Sequence, residues 1–283
     1  MIRKKEILTA ISALLLLFSS CIKEDIYETA HPEKGQITLV TDWSKKGSGI
    51  ATPESYTVQV GAYSATLKGE RNTLANLFDP GAYHALVFNT PDKITVKGET
   101  ATVAAASAEL IESMPGWLFC GNGDVTLEKD KDYSVTVGMI QQVRELNLLL
   151  QPTGGTVNKI TSATATLSGV AQSLDMRSGA LTTEKSVALT FAKQPDGKYK
   201  ATVRLLGIAS AVPKLTVKIA FAGGAPGDLQ QIYDLSAALK TFNTDKHLPL
   251  SLEAQVIETP TGAGFTASIT DWITVDSGSG TAD

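Results

Sequence analysis

Two cysteines in 283 residues cannot brace a fold, and three histidines leave little material for metal or acid–base chemistry. A disulfide framework of the kind that staples small secreted domains is excluded, so the fold must stand on packing. Neither sign of charge dominates: the net charge is -4, acidic and basic residues are interspersed, and no basic stripe offers itself to nucleic acid. The one long apolar run, Ile7 to Phe18, is about a dozen residues, short of the ~20 that a membrane-crossing helix needs. His-Glu-x-x-His, paired Cys-x-x-Cys and a Gly-rich loop followed by Lys-Ser/Thr are all missing.

What is present begins at the N-terminus. Met1-Ile2-Arg3-Lys4-Lys5 is a basic head, Ile7 to Phe18 is apolar, and Ser19-Ser20-Cys21 closes the segment with small residues, the grammar of a secretory signal. A thiol directly after small residues at the end of such a signal is where a diacylglycerol is attached. We therefore expect residues 1–20 to be a lipoprotein signal peptide, cleavage between Ser20 and Cys21, and lipidation of Cys21, with Phe18 in a place where most such signals carry Leu. Residues 21–35, polar and carrying His31-Pro32, read as a tether that lifts the folded part off the lipid surface.

The remaining roughly 260 residues allow two domains of about 120 each. Alternation is the dominant pattern. Ile37, Leu39 and Trp43 share one face; Tyr56, Val58 and Val60 repeat the period of two; Ala82 to Phe88 is apolar on both faces and reads as the middle of a sheet. Tyr133, Val135 and Val137 alternate before a boundary placed near Gly138. Leu146, Leu148 and Leu150 open the second half, and Val187, Leu189 and Phe191 face Tyr199, Ala201 and Val203 across a Pro195-Asp196-Gly197 turn, as a hairpin. Leu215, Val217, Ile219 and Phe221 then oppose Lys214, Thr216 and Lys218. Short helices are expected at Asn72–Phe78, Ala104–Met114 and Leu235–Phe242, and a turn at Gly121-Asn122-Gly123-Asp124. The expected fold class is all-β: two tandem antiparallel β-sandwich domains, 36–138 and 139–283, with short helices in the connections.

Chemistry is sparse along this frame. His31 lies in the tether, His84 inside an apolar strand, and His247 before a Leu-Pro-Leu strand start, so each reads as structural. Cys120 reads as a buried small hydrophobe. Asp124, Glu128, Asp130 and Asp132 lack the spacing, glycine and terminal glutamate of a calcium loop and read as a solvated hairpin edge. No catalytic residue, metal ligand or cofactor is assigned, and no small-molecule substrate is expected.

Taken together, the segment Phe18 to Cys21, the early strand ending in Asp42-Trp43, Tyr83 entering an apolar strand, the Val143 to Leu150 strand, and Leu167-Ser168-Gly169-Val170 with Leu174-Asp175 resemble the fimbrillin-type lipoproteins of Bacteroidales, FimB/Mfa2-like anchor subunits among them. Ile22-Lys23-Glu24-Asp25 also resembles tags that send lipoproteins to the outer face of the outer membrane. The resemblance implies transthyretin-like sandwiches, a place on the outer membrane through the lipid on Cys21, and fimbrial pilin subunits as partners engaged by strand complementation. Stalk and tip pilins of such families lose their first strand to a trypsin-like protease. Here no arginine stands between Cys21 and Arg71, although Lys45-Lys46 offers a possible protease site. This pattern favours an anchor that keeps its lipid and first strand over a stalk or tip pilin cut at Lys45 or Lys46. Phe265, Ala267 and Ile269 are the possible donor strand, with completion of the chain's own second sandwich as the competing role. A surface glycan-binding lipoprotein is a further alternative, which needs exposed tryptophans at Trp43, Trp117 and Trp272.

Overall fold

The computed structural model describes residues 31, 33–156, 158–224, 226–261 and 264–275, and over these the chain contains strands, turns and loops but no α-helix. The first half contributes β1 (Gly35–Asp42), β2 (Tyr56–Val60), β3 (Tyr63–Leu67), β4 (Arg71–Phe78), β5 (Gly81–Phe88), β6 (Ile94–Lys97), β7 (Thr100–Val103), β8 (Leu110–Ile111), β9 (Phe119–Leu127), β10 (Lys131–Gly138) and β11 (Ile140–Gln141). The second contributes β12 (Arg144–Pro152), β13 (Ile160–Asp175), β14 (Leu181–Thr190), β15 (Ala192–Lys193), β16 (Tyr199–Leu205), β17 (Lys214–Phe221), β18 (Leu229–Asp234), β19 (Leu250–Thr261), β20 (Gly264–Ile269) and β21 (Ile273–Val275).

These strands make an all-β sandwich architecture. A sheet ordered β10-β1-β4 and one ordered β11-β9-β5-β2-β3 enclose one core; β15-β16-β12-β19-β20, with β21 on β19, and β18-β17-β13-β14-β8 enclose another. Most ladders are antiparallel, but β1–β10, β12–β19 and β8–β14 run parallel. Alternation does the sorting: Ile37 and Leu39 of β1 are buried while their neighbours are half exposed, and Leu215, Val217, Ile219 and Phe221 of β17 line the second core.

The two cores abut through the centre of one sheet. Ala85 and Val87 of β5 face the first core, whereas Leu86 and Phe88 on the opposite face join the second, together with Cys120 of β9. This is why the stretch reads as apolar on both sides, and burying Leu86 and Phe88 contributes about 1.5–3 kcal/mol each relative to exposure. Three strands that precede residue 138 also pair into the second sandwich. β7 pairs with the end of β13, β6 pairs with β7, and β8 pairs with β14.

The expected helices are not formed. Asn72–Phe78 lies in β4, where Leu74 and Phe78 are buried four residues apart, an interval that the period of two of a strand shares with a helix. Asn76 between them is exposed at the irregularity of the β1–β4 ladder, which removes the middle member of the strand pattern. Ala104–Met114 folds back on itself through an Ala105–Ile111 bridge, which sets Ile111 in the core at the edge of β14. Leu235–Phe242 buries Leu235, Leu239 and Phe242 at helical intervals, but as successive turns: the bond from Leu239 N to the Leu235 carbonyl at 2.9 Å spans four residues, and those from Lys240 N to Ala237 and from Phe242 N to Leu239 span three. The only helical geometry among the described residues is 3-10 in character, at Gly154–Thr156 and Ala222–Gly224.

Nor is Gly121-Asn122-Gly123-Asp124 a turn; it runs straight through β9. A Cβ at Gly121 would lie 2.3 Å from the carbonyl oxygen of Gly138, so glycine serves here to let two backbones approach. The hairpin at Pro195-Asp196-Gly197 joins only the two-residue β15 to β16, because β14 pairs with β13 in the facing sheet. In the Leu167–Val170 segment, Gly169 sits at φ 77° where β13 bulges against β14, a conformation that only glycine adopts freely.

Candidate functional site

The site of interest is where the N-terminal strand ends and the first sandwich meets the second. β1 occupies the centre of its three-stranded sheet, in parallel register with β10 from Gly35–Lys131 to Asp42–Gly138 and antiparallel with β4 on its other side. Its entrance is fastened by His31, whose ring bonds to the Lys34 carbonyl at 3.0 Å and to the Asp132 carboxylate at 2.8 Å. Burial of the ring opposes its charge, but these bonds and the attraction of Asp132 outweigh that and raise its pKa above the usual value. At the exit, Trp43 is buried edge-on to Phe119 at 5.5 Å and donates from Nε1 to Thr41 Oγ1 at 3.0 Å.

Lys45 and Lys46 follow in a tight turn, closed by bonds from Ser44 N to Asp42 Oδ1 and from Lys46 N to the Trp43 carbonyl. Lys45 is exposed and Lys46 half-buried. The next residue, Gly47, is buried, and its N–H donates to Gln141 Oε1 at 3.0 Å. Gln141 Nε2 in turn donates to the carbonyls of Val143 at 2.8 Å and Lys246 at 2.9 Å. One buried amide therefore ties the turn after β1, the β11–β12 connection and the 243–249 loop of the second sandwich. Composition and periodicity give no sign of this clamp, since its partners are 94 and 105 residues away in sequence.

Toward the other end of the chain, β20 is an edge strand paired, among the described residues, only with β19. Ala267 and Ile269 are buried in the second core, and the Ile269 backbone is held by Tyr233 Oη, which donates to its carbonyl, and by Gln231 Oε1, which accepts from its N–H. The side chain of Phe265 lies outside the described residues, as do Ser20 and Cys21.

His84 bridges Asp124 at 2.7 Å and Asn122 at 3.1 Å across the β5–β9 ladder, with no nucleophile in the arrangement. Burial pushes the Cys120 thiol up to about 12, which leaves it protonated and inert. Among the described residues no cluster of His, Cys, Asp and Glu could hold a metal ion. Trp43 and Trp272 are buried in the two cores and Trp117 lies half-buried beneath Arg204, so the three offer no exposed aromatic platform.

Comparison with known proteins follows the same line. The family model described as fimbrillin-A associated anchor proteins Mfa1 and Mfa2 matches residues 55–278. No curated protein matches the chain. Among solved structures, the fimbrial anchor protein Mfa2 from Porphyromonas gingivalis superposes with a TM-score of 0.61 at 10% identity, covering 84% of this chain and 98% of that one. A candidate adhesin from Bacteroides ovatus gives 0.64 at 12% identity, over 86% and 96% of the two chains. A protein from Bacteroides thetaiotaomicron, described as a candidate for polysaccharide binding, gives 0.57 at 10% identity, over 86% and 99%. At such identities these likenesses speak for the fold alone.

Proposed function

The chain belongs to the family of fimbrillin-A associated anchor proteins, and from that premise we propose that it is the lipid-anchored base subunit of a surface fimbria. The family gives a cell-surface fimbrial role and association with fimbrial subunits, and it is not a family of enzymes. The base position is our reading. Acylation of Cys21 would hold the chain at the outer membrane, with residues 21–35 as the spacer. The observation that carries this reading is the clamped exit of β1: its central strand is locked into register on both sides, and the Lys45-Lys46 turn behind it is tied down by Gln141. A subunit that keeps β1 has no vacant groove in its first sandwich, so it must engage a pilin by offering a strand or a strand edge. β20, with Phe265, Ala267 and Ile269, is the candidate for donation, and its unpaired edge is the candidate if it stays in its own sandwich.

One observation favours a stalk or tip role instead. The lysine pair follows β1 so closely that a single cut there would release the whole central strand. Two experiments separate these readings. Mass spectrometry of the mature N-terminus should find an acylated Cys21, and a chain starting at Lys46 or Gly47 would make this a stalk or tip pilin. Deletion of the gene should shed fimbriae into the medium or alter their length, and intact fimbriae would refute the anchor role.

A further inference from the structure

Two half-buried lysines of the second sandwich pair with carboxylates, Lys159 with Glu258 at 2.9 Å and Lys198 with Glu253 at 3.1 Å. Two cations beside the Gln141 clamp make no such pair among the described residues. Arg204 stands opposite Glu145 in the β12–β16 ladder, yet no ion pair forms between them. Its guanidinium lies 4.2 Å over the Trp117 ring, and its Nε is buried with no hydrogen-bond partner among the described residues. Lys246 Nζ has Gln142 Oε1 at 3.3 Å and no carboxylate within ion-pair distance among the described residues. Burial draws its pKa down to about 8, as expected of a cation removed from water without a counter-charge.

Both cations line one cavity of about 380 Å³ between the 43–50 loop and the 243–249 loop, and Glu145, His247 and Ser48 line it with them. That volume falls in the range of small-ligand sites. The lining asks for two things at once. Arg204 and Lys246 make no ion pair, while Glu145, with one oxygen accepting from Asn147, has acceptor capacity left for hydroxyl donors. A simple anion satisfies only the first demand, and a neutral sugar only the second.

We propose that this cavity binds a carboxylate-bearing saccharide, a uronate or related acidic sugar, with Arg204 and Lys246 on its carboxylate and Glu145 accepting from its hydroxyls. The site is independent of where in a fibre the chain sits, and it binds through charge where an aromatic platform is absent.

The test is titration calorimetry on the full folded chain, with D-glucuronate as probe, D-glucose as its neutral counterpart and acetate as the bare carboxylate. Glucuronate should bind at least about tenfold more tightly than either control, and Arg204→Gln and Lys246→Met should each weaken it about tenfold or more, as loss of a charge-assisted hydrogen bond predicts. Melting curves identify any variant that fails to fold, and the ligand ranking on the unaltered chain stands without the variants. Acetate binding as well as glucuronate would overturn the saccharide, glucose binding as well would overturn the role of charge, and no saturable binding would overturn the site.

Discussion

Replacing Gln141 with alanine should expose the Lys45-Lys46 turn to a trypsin-like protease. The Gln141 amide is 2% exposed and makes three bonds to main chain, at 3.0 Å to Gly47 N–H and at 2.8 and 2.9 Å to the carbonyls of Val143 and Lys246. Leaving a buried donor or acceptor without its partner costs about 1–3 kcal/mol. Water entering from the two cavities that adjoin Gln141, about 380 and 600 Å³, recovers part of that cost. A net loss of about 2 kcal/mol in the free energy of opening the turn raises the open population roughly 30-fold. Where reclosing outpaces cleavage, the cutting rate follows that population. The assay is limited trypsin digestion with mass spectrometry of the new N-termini, read beside a urea titration that reports global stability. The unaltered chain should resist cutting after Lys45 and Lys46, and the Gln141→Ala chain should be cut there about 30 times faster at little change in other bonds. Equal rates at that bond would refute the clamp, and acceleration at all bonds alike would show general unfolding instead.

Two further outcomes follow from the same structure. Ile269→Ala, at a buried position of β20, should lower the urea-unfolding stability of the free chain by about 2–4 kcal/mol, whereas a strand held in reserve for donation would leave that stability unchanged and weaken fimbrial attachment only. The pH dependence of stability should carry the mark of Lys246, whose pKa falls from 10.5 to about 8 on folding. The cost of burying its charge is fully present below pH 8 and is relieved as pH rises toward 10.5, so the melting temperature should rise over that window relative to Lys246→Met, and parallel curves for the two chains would refute it.

Strands were legible because burial on one face of a sheet imposes a period of two, as in Ile37–Leu39 and Leu215–Phe221, and no local feature interferes. The misreadings share a cause in contacts that lie far away in sequence. Leu74 and Phe78 keep an interval that strand and helix share, and Asn76 between them is exposed because β4 is irregular against β1 there, which no window on residues 72–78 contains. Gly121 and Gly123 look like turn residues, but they are small because β10 passes close to them. Val187–Phe191 and Tyr199–Val203 alternate as hairpin partners do, but β14 is claimed along its length by β13 in the facing sheet. Local pattern specified which face of each strand is dry; which strand lies beside it was decided by pairing across the whole chain.

Two barriers of different origin favour retention of the first strand. One is chemical and lies in the sequence: with no arginine from Cys21 to Arg71, an Arg-specific protease has no bond to cut. The other is conformational and lies in the fold. A lysine-tolerant protease must draw the 44–49 backbone into an extended form, and that motion breaks the Gly47–Gln141 bond and strips the turn from the second sandwich. Either barrier alone could be passed, by a broader protease or by a looser loop. Together they require that a protease both accept lysine and pay for opening the junction between the sandwiches, so the first and second sandwiches jointly guard β1. In a pilin that must open its groove such a guard would be a handicap, and in a subunit whose task is to stay attached it is consistent with the role.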